Sequence, residues 1–228
     1  NGKKIAVPDA KIATHVIVVA KTNSGISLRL VDTSSSGVTI KHQKNIDESR
    51  GHFQIDFDNV EGSVIGDEIS GWEQYESIIN QAAVLFSYEQ IGGAQASLDM
   101  AIGYAKERYA FGRPIGSFQA IKHKLADMYV SLTLAKSNCY YAARALSTNS
   151  SDLPSASATA RVSSTKAFQL CSKENIQTHG GNGFTWEYDC HLFYRRSKLL
   201  SLNIGSMSNW KEKLVTNLEQ SNLSLIHI

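Results

Sequence analysis

The stretch that decides the fold lies between two long helical patterns and has the sequence Arg108-Tyr109-Ala110-Phe111-Gly112-Arg113-Pro114-Ile115-Gly116-Ser117-Phe118-Gln119. Before it, no proline occurs from about residue 73 to residue 109, which favours a long helix. After it, Ser117 is placed to cap a second helix over about 118–147. The first pattern is carried by apolar residues at helical spacing, namely Ile78, Ala82, Leu85, Ile91, Leu98, Ile102 and Ala105.

Three further helices are predicted downstream, over about 155–178, 187–202 and 206–218. A polar loop with Pro154 precedes the first of them, and Gly180-Gly181-Asn182-Gly183 ends it. Within the first long helix, Gly92 and Gly93 cost roughly 1 kcal/mol each relative to alanine. Such small residues can instead allow close contact between helices.

The first third of the chain has strand patterns over 15–20, 25–31, 37–40 and 52–57. In the last of these, Phe53, Ile55 and Phe57 alternate onto one face. These strands are too few to form a stable sheet alone, so we expect the front of a β domain to be absent. The prediction is an α+β fold: a partial antiparallel β domain over 1–67, an antiparallel four-helix-bundle-type domain over 68–218 and a tail over 219–228.

Composition excludes several classes of protein. The 228 residues carry a formal net charge of +2, which gives no electrostatic case for nucleic acid. No run of about 18 apolar residues occurs, so no membrane span is expected. Three cysteines without metal-ligand spacing, and no signal peptide, favour a cytoplasmic protein with no metal site. Hydrolase and P-loop motifs do not occur.

Residues 108–119, the basic corner, have the chemistry of a phosphate site. Arg108 and Arg113 offer forked donors, and Gln119 lies in the first turn of a helix, where free N–H groups favour anions. The alternative is a helix hairpin whose charges face water.

Residues 177–184, the glycine corner, hold three glycines that can expose successive backbone N–H groups to an anion. The alternative is a plain helix C-cap, for which one glycine would suffice. The run Arg195-Arg196-Ser197-Lys198 is expected to be a solvated helix face.

Together the two corners resemble the acyl-CoA dehydrogenase family. One family motif is similar to residues 104–123, and a second is similar to residues 177–187. Phe57-Asp58-Asn59-Val60, followed by Ile65-Gly66, resembles the end of the family's middle β domain. The resemblance covers about residues 1–217.

The resemblance implies an N-terminal helical domain, a middle β domain and a C-terminal four-helix bundle, of which this chain has the later parts. It also implies assembly into dimers or tetramers and an FAD whose adenosine diphosphate part is held across a subunit interface. In this chain the implied cofactor-binding residues are Arg108, Phe111, Phe118, Gln119, Gln177, Gly180 and Gly181.

The implied reaction removes an α-proton from an acyl-CoA and passes a β-hydride to FAD, which requires a carboxylate base. The family's usual position for that glutamate falls at Ile204, before Gly205, and its alternative position falls at Ala82. Neither side chain can accept a proton. The nearest carboxylates, on Glu73, Glu76 and Glu89, are expected to be surface residues.

Three hypotheses follow. The first is an acyl-CoA dehydrogenase-like chain that is truncated or an accessory subunit, in a homo-oligomer or with a related dehydrogenase chain. Val7-Pro8-Asp9 resembles a bacterial subset of the family in which some members pair a catalytic and a non-catalytic subunit. The second is a non-catalytic helical oligomerisation module, and the third is another activity on the same scaffold. The catalytic residue, the acyl chain and the electron acceptor are not identified by the sequence.

Overall fold

The computed structural model describes residues 1–220 and divides into two compact units, Asn1–Ile79 and the residues from Asn80 onward. Residues 221–228, which make up most of the predicted tail, lie outside the described residues. No helix within residues 1–220 is both long enough and apolar enough to cross a bilayer.

The first unit contains six strands: β1 Gly2–Pro8, β2 His15–Lys21, β3 Ile26–Asp32, β4 Val38–Gln43, β5 His52–Phe57 and β6 Ser63–Ile65. They form two antiparallel three-stranded sheets, in the orders β1-β5-β4 and β2-β3-β6. Phe53 and Ile55 are buried in a small core with Ala10, and Phe57 packs against them. The predicted apolar face of β5 is therefore confirmed.

Five helices follow: α1 Gly71–Glu107, α2 Gln119–Ser147, α3 Leu153–His179, α4 Cys190–Leu202 and α5 Met207–Gln220. Each of the five predicted helices is found, with ends that differ by up to three residues. The predicted α+β architecture, with antiparallel sheets before a helical bundle, is confirmed.

The core of the helical unit is lined along α1 by Val84, Ile91 and Leu98, at seven-residue intervals. They pack with buried side chains of α2 and α3, including Met128, Leu132, Cys139 and Phe168. Two members of the predicted apolar stripe, Ile78 and Leu85, are instead exposed. The buried side of α1 contains Val84, and the next residue, Leu85, therefore lies on another side of the helix.

Gly93 is required where α1 meets α3. A Cβ placed on Gly93 would lie 2.4 Å from Cζ of the buried Phe168, whereas one on Gly92 would meet nothing within 4 Å. Gly93 thus marks a close helix contact, and the pair of glycines is not a break, since α1 runs through it.

We expect Gly93→Ala to lower the free energy of unfolding by about 1–3 kcal/mol, because the added Cβ forces the buried Phe168 ring to shift within a packed core. Gly92→Ala is the matched control, and we expect it to be neutral or to stabilise by up to about 1 kcal/mol. Chemical denaturation of both variants measures the difference. Equal stabilities of the two variants would show that the Phe168 ring can shift without a cost in free energy.

The expected cap of α2 is wrong. Ser117 ends a 3₁₀ turn, Ile115–Ser117, and the N-cap residue is Phe118. Because the 3₁₀ turn delays entry into α2, the Ser117 side chain makes no cap bond, and its Oγ is buried without a hydrogen-bond partner among the described residues.

The three cysteines are buried and unpaired. Burial raises the pKa of the Cys139 and Cys171 thiols to about 12 and also raises the pKa of Cys190. They are therefore small core side chains and not nucleophiles at neutral pH.

Candidate functional site

The two corners meet at one end of the helical unit. A cavity of about 390 Å³ is bordered by α1, the basic corner and the glycine corner. We call it the corner cavity. The residues that line it include Tyr104, Glu107, Arg108, His179, Asn182 and Tyr188. Thus one folded chain brings Arg108 to the same space as the glycine corner.

A stack of aromatic rings forms the wall of the corner cavity. Tyr104 stacks on His179 with ring centroids 4.1 Å apart, and Tyr188 lies edge-on to Tyr104. The His179 Nδ1 atom lies 2.9 Å from the carbonyl oxygen of Asn175. A carbonyl can only accept, so Nδ1 carries a proton and donates to it. Asn182 Nδ2 donates to the Tyr104 hydroxyl at 3.0 Å.

The basic corner is a tight hairpin. Strands β7 Tyr109–Ala110 and β8 Arg113–Pro114 are joined by Phe111 at φ 53° and Gly112 at φ 79°. Two positive φ values in a two-residue loop describe a type I′ turn, in which a bulky residue such as Phe111 is strained. Phe111 is 95% exposed, so no packing inside the described chain accounts for it. Residues strained in this way cluster at ligand-binding and other functional sites.

Cationic and aromatic groups alternate around this hairpin. The Arg113 guanidinium lies 4.1 Å from the ring centroid of Phe118, and Phe111 is edge-on to the same ring at 6.3 Å. Arg108 is exposed and has no carboxylate partner among residues 1–220. Gln119 is exposed in the first turn of α2. The hairpin therefore presents unpaired donors to solvent.

The three glycines of the glycine corner have different structural roles. Gly180 is the C-cap of α3, at φ 60°, and opens a 3₁₀ turn, Gly180–Phe184. Gly183 is required by packing, since an added Cβ would lie 2.6 Å from the carbonyl oxygen of Ile176. Gly181 has neither a positive φ nor a neighbour within 4 Å of an added Cβ. The C-cap interpretation accounts for Gly180 alone, and Gly181 leaves open space beside the backbone.

A second cavity, of about 450 Å³, lies on the other side of the glycine corner. We call it the aromatic cavity. The residues that line it include Lys173, Gln177, Phe184, Trp186, His191 and Arg195. Gln177 thus faces a different cavity from Arg108, and the glycine corner contributes residues to both.

The basic run on α4 is not a solvated face. Arg195 and Arg196 are half-buried, the first over the Trp186 ring at 5.3 Å and the second paired with Glu89 at 2.8 Å. The run lies beside the aromatic cavity and α1, where these partners replace water. Sequence reasoning assigned no role to Tyr104, His179, Trp186 or Arg195. Tyr104 and His179 are 75 positions apart, and the contact of Arg195 with Trp186 depends on where the turn before α4 places the two side chains.

Neither position expected for a base carries one. Ile204 lies at φ 54° and is followed by Gly205 at φ 112°, in the turn after α4. The turn is held from both sides: Arg161 donates to the carbonyl of Asn203 at 2.8 Å, and Trp210 Nε1 donates to that of Ile204 at 3.2 Å. Ala82 is half-buried on α1.

The carboxylates expected at the surface are found there. Glu73, Glu76 and Glu89 are all exposed, and Glu89 pairs with Arg196. Within residues 1–220, no group of three or more His, Cys, Asp or Glu side chains is placed to hold a metal ion.

The model of the acyl-CoA dehydrogenase C-terminal domain matches residues 70–207, which is more than half of the chain. The chain belongs to the acyl-CoA dehydrogenase family. The match includes both corners and helices α1, α2, α3 and α4, and it confirms the resemblance seen in the sequence.

Curated relatives agree with membership of the acyl-CoA dehydrogenase family, and a solved structure has the same fold. The chain is 43% identical over 120 residues, 53% of its length, to the acyl-CoA dehydrogenase IpdE2 of Mycobacterium tuberculosis. It is 33% identical over 217 residues, 90% of its length, to the probable acyl-CoA dehydrogenase YngJ of Bacillus subtilis. Butyryl-CoA dehydrogenase from Megasphaera elsdenii has the same fold, with a TM-score of 0.91 and 24% identity over 96% of this chain.

The chain covers only part of each of these acyl-CoA dehydrogenase relatives. The aligned region accounts for 36% of IpdE2, 57% of YngJ and 60% of the butyryl-CoA dehydrogenase chain.

Proposed function

We propose that this chain holds the diphosphate of FAD in an acyl-CoA dehydrogenase, as part of a longer chain or as an accessory subunit. The observation that carries the proposal is the corner cavity, where the unpaired Arg108 lies with residues of the glycine corner. A guanidinium beside open backbone is suited to charge-assisted bonds with phosphate oxygens.

The residues present fit a dinucleotide. Arg108 forms no ion pair within residues 1–220, although Glu107 lines the same cavity, and Gly181 leaves space beside the chain. Phe111, Phe118 and Gln119 border the same hairpin, where an exposed aromatic side chain can cover a nucleotide. When bound, FAD supplies the acceptor for the β-hydride of an acyl-CoA, while the protein positions it.

The residues at the two positions expected for the catalytic base support the accessory role. Ile204 and Ala82 cannot take an α-proton, and the carboxylates of Glu73, Glu76 and Glu89 are exposed. We therefore propose that a second chain, identical or related, contributes to the complete site. Its partners would be acyl-CoA and a homo- or hetero-oligomer of dehydrogenase chains.

The test is Arg108→Ala in the assembled full-length protein. Loss of a hydrogen bond to a charged group should weaken FAD binding by about 1–3 kcal/mol, or roughly 5- to 150-fold. Arg144→Ala removes an exposed arginine of α2 and is the matched control. Titration with FAD, followed by flavin fluorescence, measures both.

The same experiment distinguishes the cofactor proposal from a second candidate, which is a helical oligomerisation module that keeps the family fold without the cofactor. The missing base favours that candidate. If Arg108→Ala binds FAD as tightly as the Arg144→Ala control, or if no assembly binds FAD at all, the cofactor proposal is wrong and the module is favoured.

A further inference from the structure

A buried imidazole and a buried carboxylate lie at the loop that joins β4 to β5, residues 44–51. His52, the first residue of β5, is 4% exposed, and Asp47 is 3% exposed. Asp47 Oδ1 accepts from the backbone N–H of Ser49 at 3.1 Å and from its hydroxyl at 2.5 Å. His52 Nε2 has no hydrogen-bond partner among residues 1–220. The proposed function gives these buried polar groups no role.

The side-chain amide of Asn45 fixes the tautomer of His52. Asn45 Oδ1 accepts from the backbone N–H of Asp47 at 2.6 Å, so the Nδ2 atom is the donor end of the amide. Nδ2 donates to the carbonyl of Arg50 at 3.1 Å and lies 2.9 Å from His52 Nδ1. His52 Nδ1 therefore accepts from Asn45, and the ring is neutral with its proton on Nε2.

Protonation would reverse the role of His52 Nδ1. An imidazolium donates from both ring nitrogens, and two N–H donors cannot face each other at 2.9 Å. Asn45 would then have to move away from the ring. The carbonyl of Arg50, 3.2 Å from the same Nδ1, is an acceptor already in place for the new donor. One proton thus exchanges one hydrogen bond of the loop for another.

The same loop holds the segment Val7-Pro8-Asp9 at the end of β1. The backbone N–H of Asp9 donates to the carbonyl of Gly51 at 3.0 Å. Arg50 Nε and Nη2 lie 2.8 and 2.7 Å from Asp9 Oδ2. His52 also pairs with Pro8 in the sheet. A shift of the loop at Arg50 is therefore transmitted to Asp9.

We propose that His52 is a proton-controlled latch of the β4–β5 loop: the neutral ring holds Asn45, and the protonated ring releases Asn45 and loosens the hold of the loop on Asp9. The latch lies within the β unit and requires no cofactor, so it stands or falls independently of the proposed function.

Other groups that change charge have to be separated from His52. The titratable and charged groups on the segments next to it are Asp9 after β1, His42 and Lys44 at the end of β4, and Asp47, Glu48 and Arg50 on its own loop. Carboxylates ordinarily titrate at lower pH than an imidazole, and lysine and arginine at higher pH. Among these groups, His42 is therefore the neighbour that the experiment has to control for.

The test compares hydrogen–deuterium exchange of the assembled full-length protein at about pH 7.5 and about pH 5.5, the range in which an imidazole ordinarily changes charge. Rates are corrected for the chemical effect of pH on amide exchange and read by mass spectrometry. Peptides that contain Asp9 or residues 45–51 should exchange roughly 5- to 100-fold faster at the lower pH, the scale of one lost hydrogen bond in a buried site. The Thr33 N–H, bonded to the carbonyl of Thr14 at 2.9 Å, is the internal reference and should not change.

Three variants assign the effect to His52. His52→Gln can still accept from Asn45 but takes up no proton, so the pH effect should disappear. His42→Gln removes the exposed neighbouring imidazole and is the matched control, which should keep the effect. Asn45→Ala should exchange fast at both pH values, because the latch is absent.

Each outcome decides for or against the latch. Equal corrected rates of the parent protein at the two pH values would show that His52 does not release the loop. A pH effect that persists in His52→Gln would assign it to another group. If His52→Gln does not fold, Asn45→Ala decides alone, since an undiminished pH effect without the Asn45 amide contradicts the proposal.

Discussion

Arg161→Met is expected to lower the free energy of unfolding by about 2–4 kcal/mol, because it leaves two main-chain carbonyls inside the helical unit without their donor. Arg161 is 1% exposed and lies on α3 at the centre of the helical unit. Its guanidinium donates to Gln90 Oε1 at 2.8 Å, to the carbonyl of Leu200, and to the carbonyl of Asn203 at 2.8 Å. It therefore joins α1 and α3 to the end of α4.

Two effects of opposite sign decide the outcome. Burial of the guanidinium is costly, and it lowers the pKa of Arg161 to about 10. Removing the cation recovers that cost but leaves buried acceptors at the end of α4 without a donor, at about 1–3 kcal/mol each. Methionine fills the space but has no hydrogen-bond donor, so two main-chain carbonyls lose their hydrogen bonds. We expect this loss to exceed the desolvation cost that is recovered when the guanidinium is removed.

Chemical denaturation of Arg161→Met beside Arg144→Met, an exposed control expected within about 0.5 kcal/mol of the parent, measures the difference. Gln90 keeps other partners in the variant, since Ser164 Oγ also donates to its Oε1 at 2.8 Å. A variant as stable as the control would mean that desolvation of the guanidinium cancels all three bonds.

The helices were predictable because their signals are local. Long tracts without proline, apolar spacing and glycine stops are properties of neighbouring residues, and they placed all five helices. Strand β1 was not predicted as a strand, since a bulge between Lys4 and Val7 breaks its alternation. Strand β6 has only three residues and no pattern of its own.

The candidate site was only partly predictable from the sequence. The two corners are contiguous stretches with unusual residue types, so Arg108 and the glycine turn stood out. The stack of Tyr104 on His179 joins residues 75 positions apart, and the Arg195–Trp186 contact depends on the turn of a later helix. Arg161 resembled any helix arginine, because only packing shows that it is buried. Such contacts have no signature in one sequence.

Ile204→Glu is expected to give acyl-CoA dehydrogenation in the full-length chain assembled with FAD and without a related partner chain. A positioned general base contributes on the order of 10²–10⁴-fold to such reactions. On the proposed function, position 204 is where the α-proton acceptor of the family belongs, and only the side chain is wrong for that role. Reduction of an artificial electron acceptor in the presence of acyl-CoA measures the rate. Ile204→Gln has the same length without the base and serves as the control.

We expect Ile204→Glu to leave the backbone of this turn unchanged. At φ 54° a β-branched isoleucine is strongly disfavoured, and an unbranched glutamate fits the same turn with less strain. The turn itself is set by Arg161 and Trp210 through main-chain oxygens, which a new side chain at 204 leaves in place. The gained activity should therefore disappear again when Arg161→Met is added, although the carboxylate remains. Equal rates for the glutamate and glutamine variants would show that residue 204 does not face the reacting carbon, and the missing base would then have to come from another element of the assembly.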